Sequence, residues 1–354
     1  MYSKSQEFTK FNYIHASRKA MLIIESYSTA VVMCLITMIC WGSWANTMKL
    51  TGKNWRFQLY YWDYSIGVLV FSILLAFSLG SAGSEGRSFM DDLSLASAGN
   101  LGAALLAGAV FNLANVLLVA AIDIAGMAIA FPIGIGLALV IGVISGYISN
   151  PVGNPWLLFG GLILVSIAIV VDGIAYSTIP TDGQKSIRKG IVISMLVGLL
   201  MGFFYPILVT SISSDLVNPE VGKLTPYTAI VLFSIGLLLS SFLWNYYLMR
   251  KPFNGLALSF SDYFTIGSFK DHLMGILGGM IWCAGFSLMT LAAGQAGPSI
   301  SYGLGQGATM VAAFWGVFIW KEFKAAPLST NKLLLTMFLL YFLGLTLLIV
   351  AKSN

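Results

Sequence analysis

The chain has 354 residues, of which 58% are hydrophobic and only 9% are charged, and its formal net charge is +5. Soluble domains usually carry about 25% charged residues. A soluble protein of this size could not bury so much apolar surface in one core. The composition therefore excludes a soluble enzyme and indicates a protein that has the lipid bilayer as part of its solvent.

The N-terminal segment differs from the rest of the chain. Residues 1–20 are polar and lack the apolar core of a signal peptide, so we expect them to form a polar tail outside the fold. The basic residues are spread through short connections instead of forming one stripe. This distribution argues against nucleic acid as a partner.

Ten stretches after the tail are apolar and long enough to cross a bilayer as helices, which takes about 20 residues each. They lack the alternation of a membrane β-barrel. The predicted fold class is an all-α membrane protein with ten transmembrane helices. In order, the predicted spans 1–10 are 27–48, 62–80, 101–122, 127–149, 156–177, 189–213, 227–248, 272–294, 299–320 and 332–351.

The second half of the sequence resembles the first. Residues 108–147 align with residues 279–318 at an offset of 171, and a weaker match sets Gly42-Ser-Trp44 against Gly202-Phe-Phe204. The first alignment pairs Gly126 with Gly297, Phe131 with Tyr302, Gly134 with Gly305, and Gly136 with Gly307.

Five spans per half is an odd number, so two such halves would have opposite orientations in the membrane, as in many carriers that work by alternating access. We therefore expect a 5+5 inverted repeat. The first five-helix repeat would occupy 21–177, a connecting loop 178–188, and the second repeat 189–354.

The distribution of lysine and arginine predicts the orientation. The connections between spans 1–2, 5–6, 7–8 and 9–10 hold 12 of these residues, against 3 on the other side, or 7 when the four in the N-terminal tail are included. Basic connections usually face the cytoplasm. We expect both termini on the outer side.

Helix-breaking residues occur at matching places in the two halves. A proline inside a helix removes the donor for the carbonyl four residues earlier, and such breaks mark solute sites in carriers. A simple packing kink is the alternative for any single break. The candidate breaks are Pro132 and Gly134 in span 4, Pro206 in span 6, and Gly303 and Gly305 in span 9.

A few polar and aromatic residues inside the spans are candidates for binding a solute. Amides offer both donors and an acceptor, and flat aromatic walls with a few polar groups are typical of small-molecule sites. Hydrogen bonding between helices is the alternative role for the amides. The candidates are Trp41, Trp44, Asn46, Asn112, Asn115, Phe131, Trp282, Tyr302 and Gln306. Aromatic residues at span ends, such as Tyr60 and Tyr61, are interpreted as an interfacial belt.

No acidic residue lies at the centre of a predicted span. Asp63 is the best candidate for coupling transport to protons, with Lys49 as a possible partner, although a structural ion pair is an equal alternative. No Walker A, HExxH or GxSxG motif occurs, and no cluster suggests a metal site. We expect neither an enzyme nor a cofactor.

The stretch from Glu25 to Gly80, with its Trp-Gly-Ser-Trp44 and Trp-Asp63-Tyr elements, and the FPIGIGLALVIG run of span 4 resemble a known family. This is the glucose/ribose porter (sugar permease) and ureide permease branch of the drug/metabolite transporter superfamily. The resemblance implies ten helices and secondary transport that is often proton-linked. The short connection between spans 5 and 6 lacks the long loop of plant ureide permeases, which favours a bacterial type in the cytoplasmic membrane.

The sequence thus predicts a secondary transporter of a small neutral polar solute, most simply a monosaccharide, that works by alternating access within the lipid bilayer. A ureide or nucleobase permease and an exporter of metabolites or drugs are alternatives. A membrane receptor or scaffold that moves no solute is an alternative of another class.

Overall fold

The computed structural model describes residues 21–180, 186–252 and 255–352, and within these ranges its regular secondary structure is helical apart from isolated bridges. Ten helices in this part of the chain are long and apolar enough to span a membrane. This confirms the predicted fold class, and the chain is a multi-pass membrane protein. Spans 1–10 run Tyr27–Lys49, Phe57–Phe77, Ala98–Ala125, Met127–Ser149, Pro155–Ser177, Ile187–Ser211, Pro226–Arg250, Phe269–Ala296, Pro298–Ile319 and Thr330–Val350.

Three spans are interrupted. Span 1 turns at Trp44, and spans 4 and 9 each contain a π-helical segment, in which one extra residue widens the turn. Their pieces are Tyr27–Ser43 and Asn46–Lys49 in span 1; Met127–Ala130, Phe131–Ile135 and Gly136–Ser149 in span 4; and Pro298–Gly305, Ala308–Phe314 and Trp315–Ile319 in span 9.

Span 2 begins at Phe57, not at residue 62 as the sequence predicts. Tyr60 and Tyr61 are fully buried among protein side chains, so their interpretation as part of an interfacial belt is wrong. Aromatic residues with a polar tip suit the membrane interface and a polar protein interior equally well, because both offer a hydrogen-bond partner.

Spans 3 and 8 are both 28-residue helices, and their ends are built alike. Each begins after a serine whose side chain accepts a backbone N–H, which satisfies a free donor of the first turn. Each ends at a glycine with positive φ (+83° and +84°), a conformation that other residues rarely adopt. The pairs are Ser97 with Ser268 and Gly126 with Gly297, both at the offset of 171.

A short helix precedes each of these two spans, again at the offset of 171. The helices are Phe89–Leu95 and Phe260–Ile266, and a serine caps each of them. A further 3₁₀ turn, Glu322–Ala325, lies between spans 9 and 10.

Most helix packing joins one half of the chain to the other. Span 3 packs on spans 6 and 7, and span 8 packs on spans 1 and 2; span 2 also packs on span 7, and span 5 on span 10. If each of spans 1–5 is exchanged with the span five places later (span 1 with span 6, and so on), the same set of pairs results. The expected division into two inverted repeats stays a prediction, and this exchange supports it.

Two helix crossings depend on glycine. A Cβ atom on Gly67 of span 2 would lie 2.1 Å from the carbonyl oxygen of Ile276 in span 8. A Cβ atom on Gly236 of span 7 would lie 2.0 Å from the carbonyl oxygen of Leu105 in span 3. Ile276 and Leu105 are themselves 171 residues apart. Small residues allow this close approach, which gives helices in lipid their van der Waals contact.

The connections 78–97 and 212–225 meet on one face of the molecule. Ser97 N donates to Gly222 O at 2.9 Å, and the buried Asp92 carboxylate pairs with Arg87 at 2.9 Å and accepts from Thr225 N at 2.7 Å. We call this the opposite face. The other face carries the connections rich in lysine and arginine, and we call it the basic face.

Candidate functional site

A cavity of about 690 Å³ lies between spans of the first half of the chain and spans of the second half. Residues of spans 1, 3, 4, 6, 8 and 9 line it, together with the connection between spans 1 and 2 and the first residues of span 2. Exposed Lys53 stands at its edge, so the cavity opens on the basic face. None of the lining residues comes from the described connections 78–97 and 212–225 of the opposite face.

Aromatic rings form the deep wall of the cavity. Trp282 stacks on Trp41 with ring centroids 5.9 Å apart and contacts Phe111 at 4.6 Å. The Trp41 Nε1 donates to the carbonyl of Trp282 at 3.2 Å, and Gly285 leaves room for the Trp41 ring, so the ring orientation is fixed. These flat apolar faces can stack on a ring-shaped solute.

Two amides complete the deep part of the cavity. Asn115 Nδ2 donates to the Tyr61 hydroxyl at 3.1 Å, which orients the amide. Gln306 follows the end of the helix Pro298–Gly305, and its side chain makes no hydrogen bond to any part of the chain that the structure describes. Its donors and acceptor are therefore available to a ligand.

Among the described lining residues, charged groups stand only near the opening. Lys53 and Arg56 lie there with Asp123, and Arg56 interacts electrostatically with Asp123. Because the deeper lining is aromatic, aliphatic or amide, the cavity suits a solute that is polar and uncharged.

The structure brings together seven of the nine predicted binding residues around this cavity. Their role in binding a solute stays a prediction. The seven are Trp41, Trp44, Asn115, Phe131, Trp282, Tyr302 and Gln306.

Asn112 does not line the cavity. It is fully buried, and its Nδ2 donates to Leu237 O at 3.1 Å and to the hydroxyls of Ser240 and Ser241 at 2.7 and 3.2 Å. Asn112 and Asn115 are three residues apart, which separates their directions by about 60° around the helix axis. This difference in direction places Asn112 against span 7, and its hydrogen bonds join span 3 to span 7.

Asn46 does not line the cavity either. Its Nδ2 donates to Ser43 O at 3.0 Å, and its Oδ1 accepts from Trp320 Nε1 at 2.6 Å. Both ends of the amide are thus used inside the protein, where they stabilise the turn in span 1 and hold it to the end of span 9.

Asp63 is almost fully buried and lies outside the cavity lining. Its carboxylate is bound by the Tyr263 hydroxyl and by His272 Nδ1 at 3.0 Å, whereas the proposed partner Lys49 pairs with Glu322. Burial, and to a smaller extent the neighbouring Asp63 carboxylate, raises the pKa of Tyr263. The hydroxyl therefore keeps its proton and donates a hydrogen bond to Asp63. The role of Asp63 in proton coupling stays a prediction.

The predicted helix breaks differ in kind. Pro132 and Gly134 lie within the π-helical segment Phe131–Ile135, and Gly303 and Gly305 lie at the end of the helix Pro298–Gly305. Pro206 is not a break, because the helix continues from Ile187 to Ser211. One missing backbone bond is tolerated where neighbours pack closely, and the adjacent Tyr205 ring stacks on Tyr302 at 5.4 Å.

Tyr302 contributes to closing the cavity toward the opposite face. Its hydroxyl donates to Met201 O at 3.1 Å, which ties span 9 to span 6. Phe131 occupies the corresponding place in span 4 and has no hydroxyl. The two halves therefore differ at the position that closes one side.

Several lining residues were missed from the sequence. Phe111 and Phe204 stand at the positions equivalent to Trp282 and Trp44, so the repeat alignment applied to those tryptophans could have found them. Gln58 and Thr309 carry no comparable signal, because polar residues near span ends are common.

Known proteins resemble this chain over most of its length. The model of the family described as Ureide permease matches residues 178–351. Ureide permease 1 and Ureide permease 4 of Arabidopsis thaliana are 23% and 21% identical to the chain, and each alignment covers 94% of this chain and all of the relative. These similarities point to a membrane transporter.

A bacterial protein is also similar. A protein of Listeria innocua provisionally named sugar uptake protein lin0215 is 24% identical over 83% of this chain and 90% of its own length. Among the solved structures that match, a crystal structure has a TM-score of 0.59 and 14% identity, over 93% of this chain and 99% of that chain. At that identity the match shows a shared fold alone.

Proposed function

We propose that the chain is a secondary transporter that moves a small neutral polar solute across the cytoplasmic membrane of a bacterium by alternating access. The solute would stack on Trp41, Trp44 and Trp282 and hydrogen-bond to Asn115 and Gln306. Phe131 and Tyr302 would flank it from spans 4 and 9.

One observation carries this proposal. Residues at equivalent positions of the two halves line the same cavity: Phe111 with Trp282, Phe131 with Tyr302, and Ile135 with Gln306. A site shared in this way can be exposed to either side when one half moves against the other. A receptor or scaffold has no need for such a paired arrangement.

In this conformation the cavity opens on the basic face. If basic connections face the cytoplasm, as is usual, the structure represents an inward-open state with both termini outside. The outward-open state would close the mouth near Arg56 and separate the connections 78–97 and 212–225.

Two substrate classes fit the cavity. A monosaccharide presents C–H faces to aromatic rings and hydroxyls to amides, and the Listeria relative carries a name of that class. A cyclic ureide or nucleobase is flat and carries amide groups that can pair with Asn115 and Gln306, and the plant relatives carry that name. Because the matching family model is that of the ureide permeases, the ureide class should be tested with the same weight as the monosaccharides.

A thermal-shift screen of the purified protein tests the proposal. The panel contains glucose, ribose, allantoin, uracil and xanthine. A ligand at 100 times its Kd stabilises the folded protein by about 2.7 kcal/mol, so its melting temperature should rise. We expect one class of solute to raise the melting temperature of the wild type and of Gly102→Ala, in which no atom outside the adjoining helix backbone lies within 4 Å of the added methyl.

The same ligand should have little effect on Gln306→Leu, which removes the free amide from the cavity. An equal shift in Gln306→Leu and in the wild type would place the ligand elsewhere. No shift with any member of the panel would count against a neutral polar solute.

A further inference from the structure

Asp172 in span 5 is a buried carboxyl group to which the sequence analysis gave no role. Asp172 is 1% exposed, and its Oδ1 has no hydrogen-bond partner among the residues that the structure describes. No lysine, arginine or histidine within residues 21–180, 186–252 and 255–352 forms an ion pair with it. Asp63, by contrast, is held by Tyr263 and His272.

The helices packed against span 5 bring no compensating charge. Spans 4 and 10 pack on it. Span 10 contributes Tyr341, which interacts electrostatically with Asp172, and Lys332, which is exposed. The titratable residue of span 4 is Tyr147, near its other end. Span 5 itself adds Tyr176, which also interacts with Asp172.

Span 4 presents its interrupted backbone to this region. A Cβ atom on Gly173, the neighbour of Asp172, would lie 2.3 Å from Pro132 Cγ and 3.0 Å from Ala128 O. The helix bond to Ala128 O is the one that Pro132 cannot donate. Span 5 therefore packs, at the residue next to Asp172, on the π-helical segment whose first residue, Phe131, lines the cavity.

Polar contacts lead from this region in two directions. Tyr176 donates to Glu322 Oε2 at 3.4 Å, and Glu322 pairs with Lys49 near the basic face. On the other side, the Tyr341 hydroxyl bonds to the Thr309 hydroxyl at 2.6 Å, and Thr309 lines the cavity.

We propose that Asp172 is a proton-binding site, which holds a proton as a neutral carboxylic acid in this conformation and exchanges it with the basic face past Tyr176 and Glu322. An unpaired carboxylate within a membrane span is costly, and such residues in carriers usually mark ion or proton pathways. One proton bound by the carboxylate removes the full charge and gives the group a donor. That this proton drives solute movement rests on the proposed function.

Infrared spectroscopy of the purified protein at neutral pH tests the site without any solute. The C=O stretching band of a neutral carboxylic acid should be weaker in Asp172→Asn than in the wild type, by the intensity of one carboxyl group per chain. Asp92→Asn is the matched control, because Asp92 is also buried but forms an ion pair with Arg87, and it should leave the band unchanged.

Identical bands in the wild type and Asp172→Asn would overturn the proposal. A wild-type band that appears only when Na⁺ is replaced by choline would also overturn it and would indicate a sodium site. If Asp172→Asn does not fold, Asp172→Glu keeps the carboxyl group, and its band should move in position without losing intensity. An unmoved band would contradict the assignment.

Proteoliposomes test the coupling. With glucose and allantoin as probes, Asp172→Asn should keep solute exchange and lose accumulation driven by a pH gradient. If the wild type moves neither probe, the proposed function fails for these solutes, while the infrared result still decides whether Asp172 holds a proton. Accumulation that is unchanged in Asp172→Asn would remove Asp172 from the coupling.

Discussion

Phe111 and Trp282 face each other in the wall of the cavity with ring centroids 4.6 Å apart, and they are 171 residues apart in the sequence. They hold the same position in the two halves of the chain. Their contact therefore joins span 3 to span 8 at the place where the solute is proposed to bind.

Replacing Trp282 by leucine should weaken solute binding. The change keeps an apolar side chain and removes a ring that stacks on Trp41 and contacts Phe111. A stacked aromatic contact contributes about 1 kcal/mol beyond its buried area, so we expect the Kd to rise roughly fivefold. Isothermal titration calorimetry with the ligand identified by the thermal-shift screen measures this Kd. An unchanged Kd would show that the solute does not contact this wall.

Asn115→Ala and Asn112→Ala form a matched pair of substitutions. Asn115→Ala removes an amide from the cavity and should lower affinity for the solute, with a small effect on stability. Asn112→Ala removes the bonds to Leu237, Ser240 and Ser241, so it should lower unfolding stability by about 1–3 kcal/mol and leave the Kd unchanged. Thermal unfolding and titration separate the two effects. The reverse pattern would contradict the placement of both residues.

The sequence predicted the fold well because apolar spans of about 20 residues leave a strong signal. It predicted the aromatic part of the cavity because the two halves can be aligned, so that Phe131 and Tyr302 were found together. Which amide side chains line the cavity was harder to predict. Asn112 and Asn115 look alike in the sequence, and only the rotation of span 3 against span 7 decides which one faces the cavity.

The partners of Asp63 show a second limit of the sequence. Lys49 is close to Asp63 along the chain, but Tyr263 and His272, which contact Asp63, lie 200 and 209 residues away in the sequence. Pairing across that distance depends on how span 8 packs on span 2. No local pattern in the sequence reports this packing.

Gly67→Ala should destabilise the protein. The added methyl would lie 2.1 Å from Ile276 O, so spans 2 and 8 must separate. We expect a loss of about 1–3 kcal/mol, which is typical of overpacking, and a lower melting temperature in detergent. Gly102→Ala is the control, since no atom outside the adjoining helix backbone lies within 4 Å of its new methyl. Equal melting temperatures for the two variants would mean that the crossing is looser than described.

Tyr302→Phe should make the opposite face easier to open. It removes the hydroxyl that donates to Met201 O at 3.1 Å, a bond worth about 1 kcal/mol. In a background without the three native cysteines, the reaction of Ser299→Cys with a water-soluble maleimide should become roughly fivefold faster. Tyr147→Phe, whose hydroxyl has no hydrogen bond in the described ranges, serves as the control. Equal rates in the two variants would exclude Tyr302 as part of the closure.

Solute counterflow in proteoliposomes tests the central claim most directly. Vesicles loaded with the unlabelled ligand from the thermal-shift screen receive the labelled ligand outside. The account predicts a transient, saturable accumulation of label in wild-type vesicles and its loss in Gln306→Leu. A ligand that binds the purified protein but shows no counterflow above empty vesicles would contradict transport and favour a receptor.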